Sequence, residues 1–203
     1  MVRLLIATSN ADKLREIRDA LVDVPLRALS EFPAIAEPEE TGSTFEENAR
    51  LKALYYDQHA ASLAQERLLT VAEDSGFVVD ALDGAPGVWS ARFLRPDASY
   101  PERFAEIYRR LTATQSASRA ARFVCALSVV DRGRIVFEAT AAIEGEVAPT
   151  PSGSAGFGYD PIFFYPPYGR TLAEVTQAEK LRVSHRGQAF RTLRGWLRAR
   201  MND

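Results

Sequence analysis

Cysteine is all but missing from this sequence. Cys125 is the only one among 203 residues, which excludes an intramolecular disulfide and a Cys-rich zinc site, and its setting in FVCALSVV marks a small buried side chain. Long apolar runs are missing too. The opening MVRLLIATSN turns polar at Thr8, too soon for a signal-peptide core or a membrane span, so the expected location is cytoplasmic with no membrane partner. Nor does one sign of charge dominate: the net charge is -2, which argues against a surface built as an electrostatic sleeve for nucleic acid. No repeat, low-complexity tract or long linker interrupts the chain, so a single domain over residues 1–203 is expected.

What charge there is lies unevenly. Residues 31–47 hold six glutamates and no Lys or Arg, whereas from Lys180 onward seven basic residues face Asp203 alone. Each stretch reads as a solvated face, and a site for phosphate plus metal would also need both signs brought together by folding.

Residues 3–7 read as a buried strand, TSN as a turn and N-cap, and 11–23 as a helix burying Leu14, Ile17 and Leu21. A short strand near 26–29 leads to a Pro- and Glu-rich loop. There Thr44 and Glu47 form a capping-box pair for a helix of about twenty residues, burying Phe45, Ala49, Tyr56, Ala60 and Leu63. Strands near 68–72 and 77–81 are expected with EDSG as the loop between them. Ser99 with Glu102 caps the next helix, two strands at 121–131 and 134–147 meet at Asp131-Arg132-Gly133, and GFGYDPIFF turns into a short strand. Thr171 with Glu174 and Thr176 with Glu179 offer two more helix starts. The last helix, near 187–201, buries Phe190, Leu193, Leu197 and Met201 and turns Arg191, Arg194 and Arg198 outward. Alternating strands and helices followed by a hairpin give the α/β class with a mixed sheet.

Four sets of residues hold groups suited to nucleotide chemistry. TSNADK leaves a strand and enters a helix, which aims backbone N–H groups and the positive end of the helix at one point, with Lys13 one turn in. It is an anion cradle or an ordinary N-cap with a surface lysine, and it is not a Walker loop, since the Gly-Lys-Ser/Thr ending is absent. Glu39, Glu40, Glu73 and Asp74 supply the carboxylate oxygens that Mg²⁺ prefers, or else are solvated turn residues. Asn48 and Lys52, four apart, share a helix face beside the apolar stripe. In the C-terminal third, GFGYDP and SHRG gather aromatics, glycines and Lys180, His185 and Arg186, groups that stack on a purine and neutralise phosphate. His185 reads as a neutral hydrogen-bonding residue rather than a general base, and His59, with no motif around it, as structural.

Together these segments resemble the inosine triphosphate pyrophosphatase family, the Ham1-like purine NTP pyrophosphatases. The matching stretches are TSNADKLREI at 8–17, EETGSTFEENARLKA at 39–53, AEDSGFVVDALDGAPGVWSARF at 72–93, RAARFVCAL at 119–127, GFGYDPIFF at 156–164 and EKLRVSHRGQA at 179–189. They follow the family's order and spacing over nearly the whole chain. The resemblance implies hydrolysis of aberrant purine nucleoside triphosphates (ITP, dITP, XTP) to the monophosphate and pyrophosphate. It further implies a magnesium cofactor, a homodimer, and an elongated mixed sheet flanked by helices with two lobes around a central substrate cleft.

Carried over by position, Thr8, Ser9, Asn10, Ala11, Asp12 and Lys13 look like the phosphate loop. Glu39 or Glu40 with Asp74 look like metal ligands beside Glu73, and Asp74 looks like the proton acceptor. Asn48, Lys52 and Ser75 look like further substrate contacts, Phe157, Gly158, Tyr159 and Asp160 like the base-recognition segment, and Lys180, His185 and Arg186 like the remaining nucleotide contacts. Two positions depart from the pattern: Ser9 stands where many members have Gly, and Glu73 precedes Asp74 where many bacterial members have two aspartates. A nucleotide-binding sensor without catalysis would need the loop, the aromatics and the basic cluster, but not the EDSG carboxylates. An RNA-binding role for the C-terminal arginines fits less well than a solvated helix face.

Overall fold

The computed structural model describes residues 3–202 apart from 34, 62 and 65, and leaves out the side chains of 61, 201 and 202. Met201, assigned to the buried face of the last helix, therefore lies outside the described side chains. The elements are β1 (Arg3–Ile6), α1 (Ala11–Ala20), β2 (Leu26–Ala28), α2 (Phe45–Ala61), β3 (Leu68–Val79), α3 (Tyr100–Thr114), β4 (Ala120–Asp131), β5 (Arg134–Val147), β6 (Phe163–Tyr165), β7 (Arg170–Thr171), α4 (Gln177–Val183) and α5 (His185–Asn202). One seven-stranded sheet has the order β2-β1-β3-β4-β5-β6-β7. It is mixed because the helical crossovers before β2 and β3 return the chain parallel to β1, whereas β5, β6 and β7 pair antiparallel. Among the described residues, no helix is long and apolar enough to cross a membrane.

The chain forms two compact units. The first comprises Met1–Asp74, Cys125–Ala141 and Arg186–Asp203, and the second Ser75–Val124 and Ala142–His185. In the first, Ala7, Ala53, Tyr56, Ala72 and Val130 share one cluster, while Leu5, Phe32, Ala60 and Leu68 share another. In the second, Phe77, Phe104, Phe123, Tyr159 and Phe163 belong to an aromatic-rich cluster.

Local signals set most boundaries. Thr44 Oγ1 accepts from the Glu47 N–H and Glu47 Oε2 from the Thr44 N–H, so the capping box starts α2 where expected. The link from β4 to β5 puts Arg132 at φ 53° and Gly133 at φ 76°, the left-handed pair that a two-residue hairpin requires. Asp57 on α2 ties that turn down, accepting from the Gly133 N–H at 2.9 Å and from Thr70 Oγ1 at 2.9 Å.

Several expectations fail: Leu14 and Phe45 are only half-buried, and Thr171 with Glu174 caps a single 3-10 turn, Leu172–Glu174, rather than a longer helix. EDSG is not a loop between strands, because β3 runs unbroken from Leu68 to Val79. Its charges are tolerated inside a buried strand because each finds a cation on its own face, as described below. Leu63 is exposed beyond the end of α2, and the buried face runs instead through Ala49, Ala53, Tyr56 and Ala60.

Candidate active site

In the first unit, β1 delivers the chain to a turn at 7–10 and α1 starts immediately after it. Asn10 is the N-cap, and its Oδ1 accepts from the N–H groups of Asp12 and Lys13, each at 3.0 Å. Two of the helix's orphan donors are thus satisfied internally. What the loop offers an anion is the helix dipole, the exposed Ser9, Asn10 and Ala11, and the Lys13 ammonium. Thr8 Oγ1 accepts from the Asn10 N–H at 3.2 Å, Ser9 Oγ bonds Glu37, and Asp12 is paired with Arg15 at 2.6 Å.

Strand geometry separates the two carboxylates of EDSG. Successive side chains of β3 point to opposite faces, so Glu73 and Asp74 meet different partners. Glu73 Oε1 receives Lys13 Nζ at 2.8 Å and Arg186 Nη2 at 3.4 Å, while Cys125 Sγ donates to Oε2 at 3.5 Å. Asp74 Oδ1 receives Lys52 Nζ at 2.7 Å and Oδ2 receives Asn48 Nδ2 at 3.3 Å. Asn48 and Lys52 therefore do reach inward together from one face of α2. Asn48 is fixed from behind, its Oδ1 accepting from the Gly42 N–H at 2.8 Å. A Cβ on Gly42 would fall 2.6 Å from that oxygen, so the close approach needs glycine.

The carboxyls of the two acids are also shifted in opposite directions. Burial pushes the Glu73 carboxyl up, but Arg186, Lys13 and Lys52 outweigh it and hold it well below the ordinary range. For Asp74 burial prevails over Lys52, and the neighbouring charge of Glu40 adds to it, so its carboxyl is raised. Lys52 is raised: burial lowers it, and Asp74 and Glu40 more than compensate. In metal-free protein, NMR titration should find Asp74 ionising above the ordinary aspartate value of about 3.9. Glu40→Gln should move that value down, since a like charge is removed.

Lys52 Nζ also lies 2.7 Å from Glu40 Oε1. Oxygens of Glu40 and Asp74 thus already converge on one cationic point, which is the donor set Mg²⁺ takes when substrate phosphates and water complete its shell. Glu39 is exposed, and Glu73 faces away and is committed to Lys13 and Arg186. Among the described residues, no group of three or more His, Cys, Asp or Glu side chains converges as a metal cage.

The second unit holds the other set. Asp160 accepts from the Phe157 N–H at 2.8 Å and from Lys180 Nζ, which also stands 4.8 Å from the centre of the Phe157 ring. Gly156 is at φ 71° and a Cβ there would come 2.1 Å from Asp160 Oδ2, so the turn tolerates no side chain. Phe157 is half-buried, whereas Tyr159 lies in the core, stacked on Phe77 at 5.1 Å with its hydroxyl donating to the Ser90 carbonyl. His185, the first residue of α5, stacks on Phe123 at 4.9 Å, and Ser75 is the one residue of β3 that is half-buried rather than buried. His59 is exposed, its Nδ1 2.7 Å from the Tyr55 carbonyl. A pocket of 610 Å³ in this unit, lined by Tyr108, Thr112, Gln115 and Arg119 among others, contains none of these residues.

Two contacts lie outside the motifs: Glu16 accepts from Arg186 Nη1 at 2.6 Å, and Cys125 donates to an acid, Glu73. For Glu16 a signal existed: it stands beside Ile17 on the apolar face of α1, one turn from Lys13. Arg186 is fully buried between Glu16 and Glu73.

The chain as a whole has known relatives. A family model described as the Ham1 family matches residues 4–196. A "dITP/XTP pyrophosphatase" of Geobacillus kaustophilus is 43% identical over 195 residues, 95% of this chain and 93% of that protein. One of the same description from Gloeobacter violaceus is 44% identical over 190 residues, 94% of this chain and 91% of its own. The solved structure of a HAM1 protein from Coxiella burnetii superposes with a TM-score of 0.88 at 36% identity, covering 98% of this chain and 100% of that one. With a full-length family match, relatives above 40% identity and the same fold, this chain belongs to the Ham1 family.

Proposed function

We propose that this chain is a magnesium-dependent pyrophosphatase that hydrolyses ITP, dITP and XTP to the nucleoside monophosphate and pyrophosphate. The observation that carries this reading is the triangle of Lys52, Glu40 and Asp74, with Asn48 as its fourth member. Two carboxylates converging on one point suit a metal-assisted hydrolase, which uses them to hold the metal and accept a proton, better than a sensor that only binds. The relatives called dITP/XTP pyrophosphatase support the same substrate class.

Glu40 and Asp74 would hold the metal. When bound, Mg²⁺ supplies neutralisation of phosphate oxygens and a more acidic water. Asp74 is the proton acceptor for water attacking the α-phosphorus, the task a positioned carboxylate beside the metal can perform. Asn48 orients it by donating to Oδ2. Lys13 and Lys52 offset charge on the transferring group and the leaving pyrophosphate. Arg186, enclosed by two glutamates, neutralises Glu73 rather than touching phosphate. The 157–160 segment reads the base, with Lys180 bracing Asp160 and the Phe157 ring.

Hypoxanthine and xanthine present a carbonyl at the six position where adenine presents an amino donor, so a protein donor aimed there is left unpaired by adenine. The same reading takes the enzyme as a cytoplasmic homodimer.

Pyrophosphate release from ITP, XTP, ATP and GTP, with magnesium and with EDTA, tests the proposal. Magnesium-dependent release confined largely to ITP and XTP is expected. Absence of release from all four would leave a nucleotide sensor instead.

A further inference from the structure

A carboxylate on the inner face of a helix is costly unless a cation meets it. Glu16 is such a group: its side chain is 2% exposed, as is the Arg186 guanidinium that answers it. The guanidinium lies 2.6 Å from Glu16 and 3.4 Å from Glu73, so Glu16 draws it away from Glu73. The close contact on Glu73 Oε1 belongs to Lys13 instead, at 2.8 Å. Glu16, Arg186, Glu73 and Lys13 thus form a chain of alternating charge that begins and ends on α1. Only its last member reaches solvent, with 19% of the Lys13 side chain exposed.

We propose that Glu16 is a positioning residue for the reaction: by engaging Arg186 it leaves Glu73 free to anchor Lys13, and so holds the Lys13 ammonium at the phosphate loop. Without the Glu16 charge, Arg186 closes on Glu73 and the lysine loses its anchor. The inference rests on the reading of Lys13 as a triphosphate contact.

A double-mutant cycle tests both and separates them. Values of kcat/KM for ITP are measured for the wild type, Lys13→Ala, Glu16→Gln and the double variant, with thermal melts to confirm folding. Lys13→Ala and Glu16→Gln are each expected to lose about tenfold, and Glu16→Gln to cost less than about twofold when Lys13 is already absent. Should Glu16→Gln cost the same in both backgrounds, or nothing in either, Glu16 is only structural and the inference is overturned. If Lys13→Ala is itself without effect, the triphosphate role of Lys13 fails and the inference with it, an outcome visible in the single variant. Should Glu16→Gln not fold, Glu16→Asp, which keeps the charge but retracts it by one methylene, is expected to show the same non-additivity at smaller size. Additive losses with Glu16→Asp would count against the proposal equally.

Discussion

Asp74→Asn is expected to lower kcat by about 10²- to 10⁴-fold, the range over which a positioned general base acts, without destabilising the protein. The first half follows from the proposed role of Asp74 as proton acceptor. The second follows, in metal-free protein, from the direction in which burial shifts its carboxyl. A carboxyl whose folded value is raised by burial resists ionisation in the native state, so its ionised form opposes folding at neutral pH, and the isosteric amide removes that opposition. The amide oxygen still accepts from Lys52, whose ammonium keeps Glu40 as its second partner, and the contact given up is the longer one, at 3.3 Å, from Asn48 Nδ2. Steady-state kinetics with melting curves check both: lost turnover with an equal or higher Tm is the expected pair, and near-normal turnover would remove Asp74 from the mechanism. Active sites commonly hold such tension between stability and function.

Arg186→Met should be the most destabilising single change in the network. It leaves Glu16 and Glu73 buried without the cation they share, and breaking a buried pair by removing one partner costs about 3–5 kcal/mol. The pH dependence carries the signature. In the wild type Glu73 is held well below its ordinary value, so its stabilisation is present above about pH 4.3 and is lost as pH falls through the folded value. In the variant, burial acts on Glu73 with less opposition and its folded value rises. The penalty is then greatest at neutral pH and shrinks on acidification, as that carboxyl takes up a proton. Denaturant unfolding at pH 7 and near pH 5 measures this. A loss that is the same at both pH values would show that packing, not charge, is what Arg186 supplies.

Much of this was legible locally. The capping boxes at Thr44, Ser99 and Thr176 and the Arg132-Gly133 turn placed their elements within a residue or two, because each is decided by groups three or four residues apart. The continuity of β3 was not, because Asp, Ser and Gly favour turns and nothing nearby in sequence announces the cations that neutralise Glu73 and Asp74. Lys13 comes from 60 residues upstream of Glu73 and Arg186 from 113 downstream. For the same reason the family resemblance could point to the acids but not to the opposite faces they occupy, which single out Glu40 and Asp74 as the pair around Lys52. Tyr159 shows the converse: an aromatic in a recognition segment that the fold spends on its core.

The phosphorus that water attacks decides the reaction. ITP turned over in heavy-oxygen water, with the products resolved by mass spectrometry, tests it directly. Attack at the α-phosphorus places one heavy oxygen in inosine monophosphate and none in pyrophosphate. Label in the pyrophosphate, or release of labelled orthophosphate, would contradict it.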